Sequence, residues 1–406
     1  MSTTPSVSVR AKATCAYCGN NPVSHTTAWI DSLILLTLNR RLYWLLGTWV
    51  GALLIFVTES LFTLVRWFII TTGAAHFTAD HSLITSGRGE VMAEEARRRG
   101  WQFEAFVAFG RLHDAYRLTL SGGKQIFFSG VPRLSRSDVA ISGWMDDKAL
   151  LKKRLSNAGC VVSRGASFVR LAPAQKMFAA LQKPVIIKPR FGSRGRHTTT
   201  HINTLEEFNR AFAVAKQLCV SVIVEEHLVG SVYRATMING CLAGVLAGEP
   251  PRITGDGVHS ITQLIELKNS LRPKRVGEFK IRANTSTYLA RLGYTLDSIL
   301  PTDIRIDLIE KIGLSYGGSS LEVTPETHPK LRAELEKAAA AVDDPIHGFD
   351  FITTDVSVDP DTVRWGIIEC NSVPFINLHH DPLYGTPVNA AGILFDYLEK
   401  ELNVSK

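Results

Sequence analysis

The chain has 406 residues, of which 45% are hydrophobic and 20% are charged, and its formal net charge is +7. This length predicts two or three domains or lobes, and the sequence contains no low-complexity tract or internal repeat. The positive charge would suit nucleic acid, an anionic membrane or small anionic substrates. No aromatic and basic motif typical of nucleic-acid binding accompanies it, so we expect small-molecule partners and no nucleic acid.

Residues 1–27 are small and polar, and we expect a poorly ordered lead-in. They include Cys15-Ala16-Tyr17-Cys18, which could be half of a zinc knuckle. No second pair of Cys or His residues with the spacing of a zinc ribbon is evident, so metal binding and a mobile tail both stay open. The other cysteines occur singly and are typical of reduced core residues: Cys160, Cys219, Cys241 and Cys370.

Residues 28–80 are apolar, and we expect them to be helical. The uncharged stretch from Leu42 to Thr58 is at the short limit for crossing about 30 Å of hydrocarbon. Glu59 and Arg66 follow it and would lie on one side of a helix. Two interpretations remain: helices that pack on the protein or lie at a membrane surface, and a membrane span. We favour packing or surface contact through residues 42–75, because these charges make a span costly.

Residues 81–146 are expected to form a small segment of helix and sheet. A predicted helix ends at Gly100 after three arginines, since basic residues and glycine favour a helix C-terminus. Gly122-Gly123 predicts a hairpin turn between the last two of three strands. The predicted strands are Phe103–Phe109, Ala115–Leu120 and Lys124–Phe128.

From His81 onward, predicted helices alternate with mostly antiparallel strands, so the expected fold class is α+β or mixed α/β, of which we favour α+β. Asn239-Gly240 predicts a hairpin between two apolar runs. The predicted helices are Asp147–Ala158 and Leu205–Leu218, and the predicted strands are Val185–Lys188, Ser221–Glu225, Val232–Ile238 and Cys241–Ala247.

The most informative pattern is an apolar run that leads to Glu369-Cys370-Asn371. Alternate side chains of a strand point to one face, so Glu369 and Asn371 are expected to project together. Asp350, on the run Phe349–Thr353, can join them. Two carboxylates and an amide oxygen form a hard oxygen site that Mg²⁺ prefers, particularly beside nucleotide phosphates, and Mn²⁺ could replace it. The alternative is an edge strand with a solvated glutamate.

A second segment has the composition of a phosphate site. The β-branched run before Lys188 presents this lysine, and a loop with Gly192, Ser193 and Gly195 follows. Glycines let backbone N–H groups approach phosphate oxygens, and lysine supplies a point charge. The alternative is a basic hairpin loop. The density of guanidinium groups favours anion binding, and the arginines are Arg190, Arg194 and Arg196.

A third segment could hold an adenosine group. An apolar strand ends at Glu225-Glu226, and a linker through Leu228 leads to a strand that carries Arg234. Linker backbone beside an apolar wall can recognise adenine, and a carboxylate can accept hydrogen bonds from ribose hydroxyls. Arg234 is available to a γ-phosphate or an acyl phosphate. Solvated charges at the end of a strand are the alternative.

Taken in order, these segments resemble the ATP-grasp superfamily, in particular the ATP-grasp domains of cyanophycin synthetase and of bifunctional glutathione synthetases. The resemblance covers roughly Asp147 to Leu398. It implies two lobes that clamp ATP, with residues 147–225 as the lid lobe and 226–400 as the C-terminal lobe, after a pre-ATP-grasp-like segment at 81–146. Further motifs that carry it are Gly255-Asp256-Gly257-Val258-His259, Tyr316-Gly317-Gly318, Val323-Thr324-Pro325-Glu326 and Gly348-Phe349-Asp350.

The family implies an ATP-dependent carboxylate–amine ligase that forms an amide through an acyl phosphate, on an amino acid or peptide. It implies that Lys148 and Lys188 hold ATP phosphates and that the loop Gly192–Arg196 closes on the γ-phosphate. Arg234 and the loop Ser315–Gly318 would face the acyl phosphate. Such an enzyme would be cytoplasmic and could form a homodimer.

Three departures from the family pattern bear on the acceptor substrate. Gly313 stands where asparagine is usual, His197 where the loop often has another glycine, and Phe375 where the family has glycine after proline. The general base stays open. Its candidates could equally have structural roles; they are His259, His379 and His380.

Two other functions compete with the ligase. One is a catalytically degenerate, membrane-associated nucleotide-binding protein, against which the intact set of Asp350, Glu369 and Asn371 speaks. The other is a kinase-like transfer to an acceptor that is not a carboxylate.

Overall fold

The computed structural model describes residues 15, 17–18, 22–39, 60–61, 63–134, 144–192 and 195–402. The chain divides into two compact units. The first unit comprises Met1–Leu42 and Arg164–His227, and the second comprises Tyr43–Ser163 and Leu228–Lys406.

The described residues contain both helices and antiparallel sheets. The prediction of a fold that mixes helix and sheet is therefore confirmed. The strands are β1 (Ala75–Thr78), β2 (Gln102–Ala108), β3 (Arg111–Thr119), β4 (Gln125–Ser129), β5 (Gly165–Phe168), β6 (Val185–Pro189), β7 (Thr199–Ile202), β8 (Val222–Glu226), β9 (Ser231–Ile238), β10 (Cys241–Glu249), β11 (Arg252–Thr254), β12 (Arg305–Asp307), β13 (Ser319–Glu322), β14 (Ile346–Thr353) and β15 (Gly366–Asn371). The α-helices with both ends among the described residues are α1 (His25–Ile34), α2 (Gly87–Arg98), α3 (Lys148–Asn157), α4 (Leu171–Ala180), α5 (Leu205–Lys216), α6 (Ile261–Leu271), α7 (Ala283–Arg291), α8 (Pro329–Val342), α9 (Asn377–His380) and α10 (Ala390–Glu401).

The first unit is built on a four-stranded sheet with strand order β5-β8-β6-β7. One face of this sheet packs against α4 and α5, and its side chains come from alternate positions of β6 and β8. The buried cluster includes Val185, Ile187, Val222, Val224, Phe178, Phe208 and Phe212. Residues at the intervening positions, Lys188 among them, therefore lie on the other face.

The second unit contains a five-stranded antiparallel sheet with strand order β13-β10-β9-β14-β15. One face is apolar and packs against α3 and α8. The cluster on this face includes Tyr233, Ala235, Phe349, Phe351 and Cys370 from the strands and Leu151, Leu155, Leu331 and Leu335 from the helices. The polar residues between these positions in sequence are thereby directed to the opposite face.

The segment before the large sheet forms a second four-stranded sheet, in the order β1-β2-β3-β4. Its core is shared with the C-terminal helix α10, since Trp101 stacks on Phe395 with ring centroids 5.3 Å apart. At the edge of this core Arg99 pairs with Glu95 of α2 at 2.8 Å and with Asp396 of α10 at 2.7 Å. Residues distant in sequence thus build one apolar cluster here.

Both predicted hairpins are confirmed. The turn at Asn239-Gly240 joins β9 to β10 with positive φ angles of 51° and 75°, which the tight turns of two-residue hairpins require. Gly122 and Gly123, with φ of 93° and 84°, likewise lie between β3 and β4.

The predicted apolar helices fall largely outside the described residues, which omit 40–59 and 62. Residues 63–71 are helical. The sequence predicts helix as far as Ala75, but Gly73 takes a φ of 74° and Ala75 begins strand β1, which pairs with β2. Among the helices that the structure describes, none is long and apolar enough to cross a membrane.

Candidate functional site

A row of three charged residues crosses the large sheet of the second unit. Arg234 of β9 lies directly opposite Asp350 of β14, and Asp350 lies directly opposite Glu369 of β15. Directly opposed residues share a face, so the three side chains lie together on the face away from the apolar cluster. Neither α3 nor α8 packs on this face of the sheet.

Arg234 and Asp350 form a bidentate ion pair. Nε of Arg234 donates to Oδ1 of Asp350 at 2.8 Å, and Nη2 donates to Oδ2 at 2.9 Å. The negative charge of Asp350 raises the pKa of the Arg234 guanidinium above its usual value, and Glu369 adds to this, although burial acts in the opposite direction. The fork geometry orients the guanidinium as well as keeping it charged.

A β-bulge in β15 directs Glu369 onto this face. Phe351 pairs with Ile367, whereas the preceding Asp350 pairs with Glu369, so Ile368 is an extra residue on one strand. Ile367 and Cys370 consequently both point into the apolar cluster. Without the extra residue, simple alternation would put Ile367 and Glu369 on the same face.

Asn371 completes the polar set at the end of the strand. It lies opposite Gly348 and shares the face of Glu369, as the alternation predicts. Its buried Nδ2 has no hydrogen-bond partner among the described residues. Each carboxylate oxygen of Asp350 retains a lone pair beyond its bond to Arg234. The carboxylates of Asp350 and Glu369 and the amide oxygen of Asn371, on the same face of two paired strands, therefore suit a hard divalent cation.

Lys148 approaches the same set from helix α3. Asp147 caps the helix, its carboxylate accepting from the backbone N–H groups of Ala149 and Leu150 at 2.9 and 3.3 Å. Lys148 is therefore the first helical residue, and its Nζ lies 3.8 Å from Oε2 of Glu369. Its side chain is only 8% exposed, so its charge is held close to the carboxylate.

The first unit holds a separate pair of charges. Lys188 of β6 and Glu225 of β8 are diagonal neighbours on one face of the sheet, and Nζ of Lys188 lies 2.5 Å from Oε1 of Glu225. Glu225 is 1% exposed and Lys188 is 8% exposed. The loop after β6 contains Gly192 and Gly195, with φ of 117° and 61°, whereas Ser193 and Arg194 lie outside the described residues.

Glu226 does not share the face of Glu225. It lies opposite Val185, and its Oε1 accepts a hydrogen bond from the backbone N–H of Gln182 at 3.1 Å. The chain leaves the first unit immediately afterwards, and Leu228 is a buried residue of the second unit. The two carboxylates at the strand end thus have different environments.

The loop at 315–318 is shaped by glycines. Ser315 is exposed in a single turn of 3₁₀-helix, which Gly317 ends with a φ of 81°. A Cβ at Gly318 would lie 2.1 Å from the carbonyl oxygen of Glu249. Close backbone approach therefore requires glycine there.

The three candidate histidines all have structural partners. His379 is fully buried, with Nδ1 donating to Glu322 at 2.7 Å and Nε2 lying 2.8 Å from Oγ1 of Thr236. His259 pairs with Asp256 within its own turn, and Nε2 of His380 accepts from the backbone N–H of α10.

No family model matches the chain. Two groups of curated proteins do resemble it. A cyanophycin synthetase of Synechocystis sp. is 31% identical over 262 residues, covering 62% of this chain and 30% of the relative. A glutathione biosynthesis bifunctional protein of Pasteurella multocida is 29% identical over 276 residues, covering 63% of this chain and 36% of the relative. The chain thus spans about a third of the length of the relatives it matches.

Comparison of this structure with solved structures identifies the same group of proteins. The crystal structure of a bifunctional glutathione synthetase from Pasteurella multocida superposes with a TM-score of 0.56 and 25% identity, covering 77% of this chain and 44% of the other. The chain belongs to the ATP-grasp superfamily. In this ATP-grasp protein, the second unit unites Arg234, Asp350, Glu369 and Lys148, and the first unit unites Lys188 and Glu225.

Proposed function

We propose that this ATP-grasp protein is an ATP-dependent ligase that joins a carboxylate to an amine and releases ADP and phosphate. The observation that carries the proposal is the row of Arg234, Asp350 and Glu369 across three paired strands. A guanidinium fork and two carboxylates on one rigid face suit a reaction in which phosphate charge must be held and neutralised.

The proposed metal ligands are the oxygens of Asp350, Glu369 and Asn371. Their oxygen-only chemistry on one face of the sheet supports this assignment. Magnesium bound there would supply positive charge at the β- and γ-phosphates, and manganese could take its place. Lys148, at 3.8 Å from Glu369, would add a fixed positive charge beside the same oxygens.

The remaining nucleotide contacts are assigned to the first unit and the linker. Lys188 would bind phosphate, and the backbone of the Gly192–Gly195 loop would cover the γ-phosphate. Glu225 would orient Lys188, through the 2.5 Å pair, and accept from the ribose. Because the Glu226 carboxylate accepts from Gln182, we assign to Glu226 and Leu228 a contact with adenine through the linker backbone and the apolar Leu228 side chain.

The chemistry has two steps. A carboxylate oxygen of the substrate attacks the γ-phosphorus of ATP, the bond to the β-phosphate oxygen breaks, and ADP leaves. The amine nitrogen then attacks the acyl carbon, the bond from this carbon to the phosphate oxygen breaks, and the amine loses a proton. Arg234 would stabilise the charge on the transferred phosphoryl group, and the loop with Ser315, Gly317 and Gly318 would position the acceptor.

The substrates that we propose are amino acids or peptides. Relatives named for cyanophycin and glutathione synthesis support this class. A cytoplasmic location and a homodimer stay predictions, as does contact of residues 42–75 with a membrane surface. Nothing in the described part of the chain favours the non-catalytic alternative.

The proposal is tested by incubating the protein with Mg·ATP and pools of amino acids and dipeptides. We expect release of ADP and phosphate that depends on a carboxylate, with an amide product identified by mass spectrometry. Hydroxylamine should trap the acyl phosphate as a hydroxamate. Glu369→Gln should abolish both signals, and Glu334→Gln on α8 is a matched control. ADP release without hydroxamate or amide would overturn the ligase in favour of phosphoryl transfer to another acceptor.

A further inference from the structure

Four potential metal ligands converge in the first unit, away from the charged pair of Lys188 and Glu225. They are Cys15, Cys18, His25 and His197, and their ligand atoms all lie within 4.8 Å of one another. The sequence pattern indicates only the Cys15/Cys18 pair, because His197 is distant in sequence, in the loop between β6 and β7, and His25 belongs to helix α1.

The separations match a tetrahedral centre. Sγ of Cys15 and of Cys18 each lies 3.5 Å from Nε2 of His197, and Sγ of Cys18 lies 3.3 Å from Nε2 of His25. The two Nε2 atoms are 3.2 Å apart. For zinc bonds of about 2.3 Å to sulfur and about 2.0 Å to nitrogen, a regular tetrahedron predicts about 3.5 Å between S and N and about 3.3 Å between two N atoms.

His197 is oriented as a metal ligand by its other ring nitrogen. Its Nδ1 lies 2.7 Å from the carbonyl oxygen of Val214, to which it donates, so the lone pair is on Nε2. A hydrogen bond of this kind fixes the tautomer of metal-binding histidines. The side chain is fully buried, and its backbone N–H donates to the carbonyl oxygen of Tyr17 at 3.0 Å.

Hydrogen bonding alone accounts poorly for this cluster. With its proton on Nδ1, His197 offers a single lone pair at Nε2. Three atoms nevertheless approach Nε2 at 3.2–3.5 Å: Sγ of Cys15, Sγ of Cys18 and Nε2 of His25. A shared cation satisfies all of these atoms at once.

We propose that Cys15, Cys18, His25 and His197 bind one zinc ion. Two thiolates and two imidazoles fill all four positions of a tetrahedron, which is the composition of structural sites, since catalytic zinc keeps a position open for water or substrate. The ion would link the segment before α1 to the loop that carries Gly192 and Gly195. The side chain at position 197, where the family often has glycine, would thereby anchor one end of this loop.

Metal content tests the site directly. The full chain, kept reduced, should retain one zinc ion per molecule after desalting, measured by inductively coupled plasma mass spectrometry. If it is isolated without metal, added Zn²⁺ should bind stoichiometrically in competition with a chromophoric chelator. Failure of the folded, reduced protein to bind zinc in this titration would overturn the proposal, as would a disulfide between Cys15 and Cys18 that persists under reduction.

Ligand substitutions identify the donors. Cys18→Ser and His197→Asn should weaken zinc binding by more than the roughly 10–100-fold that loss of an outer hydrogen-bond partner costs. Cys241→Ser and His113→Asn replace an exposed cysteine and an exposed histidine elsewhere and should leave binding unchanged. Equal affinity in ligand and control variants would exclude this site.

Spectroscopy of the unsubstituted chain covers the case in which the variants misfold. Co²⁺ in place of zinc should give the visible bands of a tetrahedral ion with thiolate charge transfer. X-ray absorption of the zinc form should show equal numbers of sulfur and nitrogen ligands, at about 2.3 Å and about 2.0–2.1 Å. An oxygen- or nitrogen-only shell would refute the assignment. None of these readouts depends on ligase activity, so an inactive protein with this zinc shell would count against the proposed function alone.

Discussion

Arg234 and Asp350 face each other on two central strands and share two hydrogen bonds of 2.8 and 2.9 Å. The pair is partly shielded from solvent, with 28% of the arginine side chain and 14% of the aspartate side chain exposed. The proposed catalytic guanidinium is thus held in a fixed plane by its aspartate partner.

A lysine at position 234 would keep the positive charge but remove the planar guanidinium, and so tests whether its orientation matters. We expect Arg234→Lys to lower kcat on the order of 10–100-fold, because an ammonium cannot make the two parallel bonds. Arg252→Lys is a matched control, since Arg252 pairs with Asp307 at 2.7 Å on β11 and β12. An equal loss of kcat in both variants would show that the effect is not specific to the site.

The metal assignment predicts that Glu369→Gln and Asn371→Ala lose turnover without losing the fold. Both side chains are half-buried rather than part of the apolar cluster, so no core cavity is opened. Steady-state rates across a Mg²⁺ titration, with thermal unfolding as the control for folding, decide the point. Near-normal turnover at saturating Mg²⁺ in either variant would contradict the assignment.

The phosphate assignment predicts that Lys188→Ala weakens binding of ATP more than binding of adenosine. Loss of one charge-assisted phosphate contact should cost about 1.5–3 kcal/mol in ATP binding. Calorimetric titration with both ligands measures the difference, and Lys176→Ala on α4 is an exposed control in the same unit. Because the variant also removes a partner of buried Glu225, equal losses for the two ligands would indicate a folding defect instead.

Stability should depend on pH through His347. Burial of this fully enclosed side chain lowers its pKa to about 4, and its Nε2 has no hydrogen-bond partner among the described residues. As the pH falls below about 6.5, the His347 imidazole becomes protonated in the unfolded chain, whereas in the folded chain it stays neutral down to about pH 4. The free energy of unfolding should therefore fall by roughly 3 kcal/mol as the pH drops through this window.

Chemical denaturation at a series of pH values measures this dependence. His347→Phe should remove that share of the slope between pH 6.5 and 4 while retaining the ring contact with Phe349, which is edge-on at 4.8 Å. An unchanged slope in the variant would mean that another group titrates.

The substrate loop should not tolerate a side chain at Gly318. In Gly318→Ala the new methyl group would meet the carbonyl oxygen of Glu249 at 2.1 Å, so the loop or strand β10 must move. We expect a raised KM for the acceptor substrate with ATP binding largely retained. Ser315→Ala, which alters an exposed residue of the same loop, should have a smaller effect; the reverse order would contradict the role given to Gly318.

Sequence patterns anticipated local structure well and long-range contacts poorly. Asn239-Gly240 specifies its turn because only a few residues adopt positive φ, and the alternation from Glu369 to Asn371 follows from strand geometry. The bulge at Ile368 has no comparable signal, since alternation alone would direct Ile367 away from the apolar cluster. The opposite environments of Glu225 and Glu226 depend on strand pairing, and the approach of His197 to Cys15 depends on tertiary folding.

The charged row of the large sheet also penalises incorrect strand pairing. Its neighbours in sequence, among them Tyr233, Phe349 and Phe351, lie in the apolar cluster. A slip of β14 by one residue would exchange the two sets, so Asp350 would enter that cluster while its partner Arg234 stayed outside. An uncompensated buried charge costs several kcal/mol. The residues assigned to catalysis thus also disfavour incorrect strand registers when the sheet forms. Replacing these charged residues by neutral ones should make folded forms with a shifted β14 easier to populate.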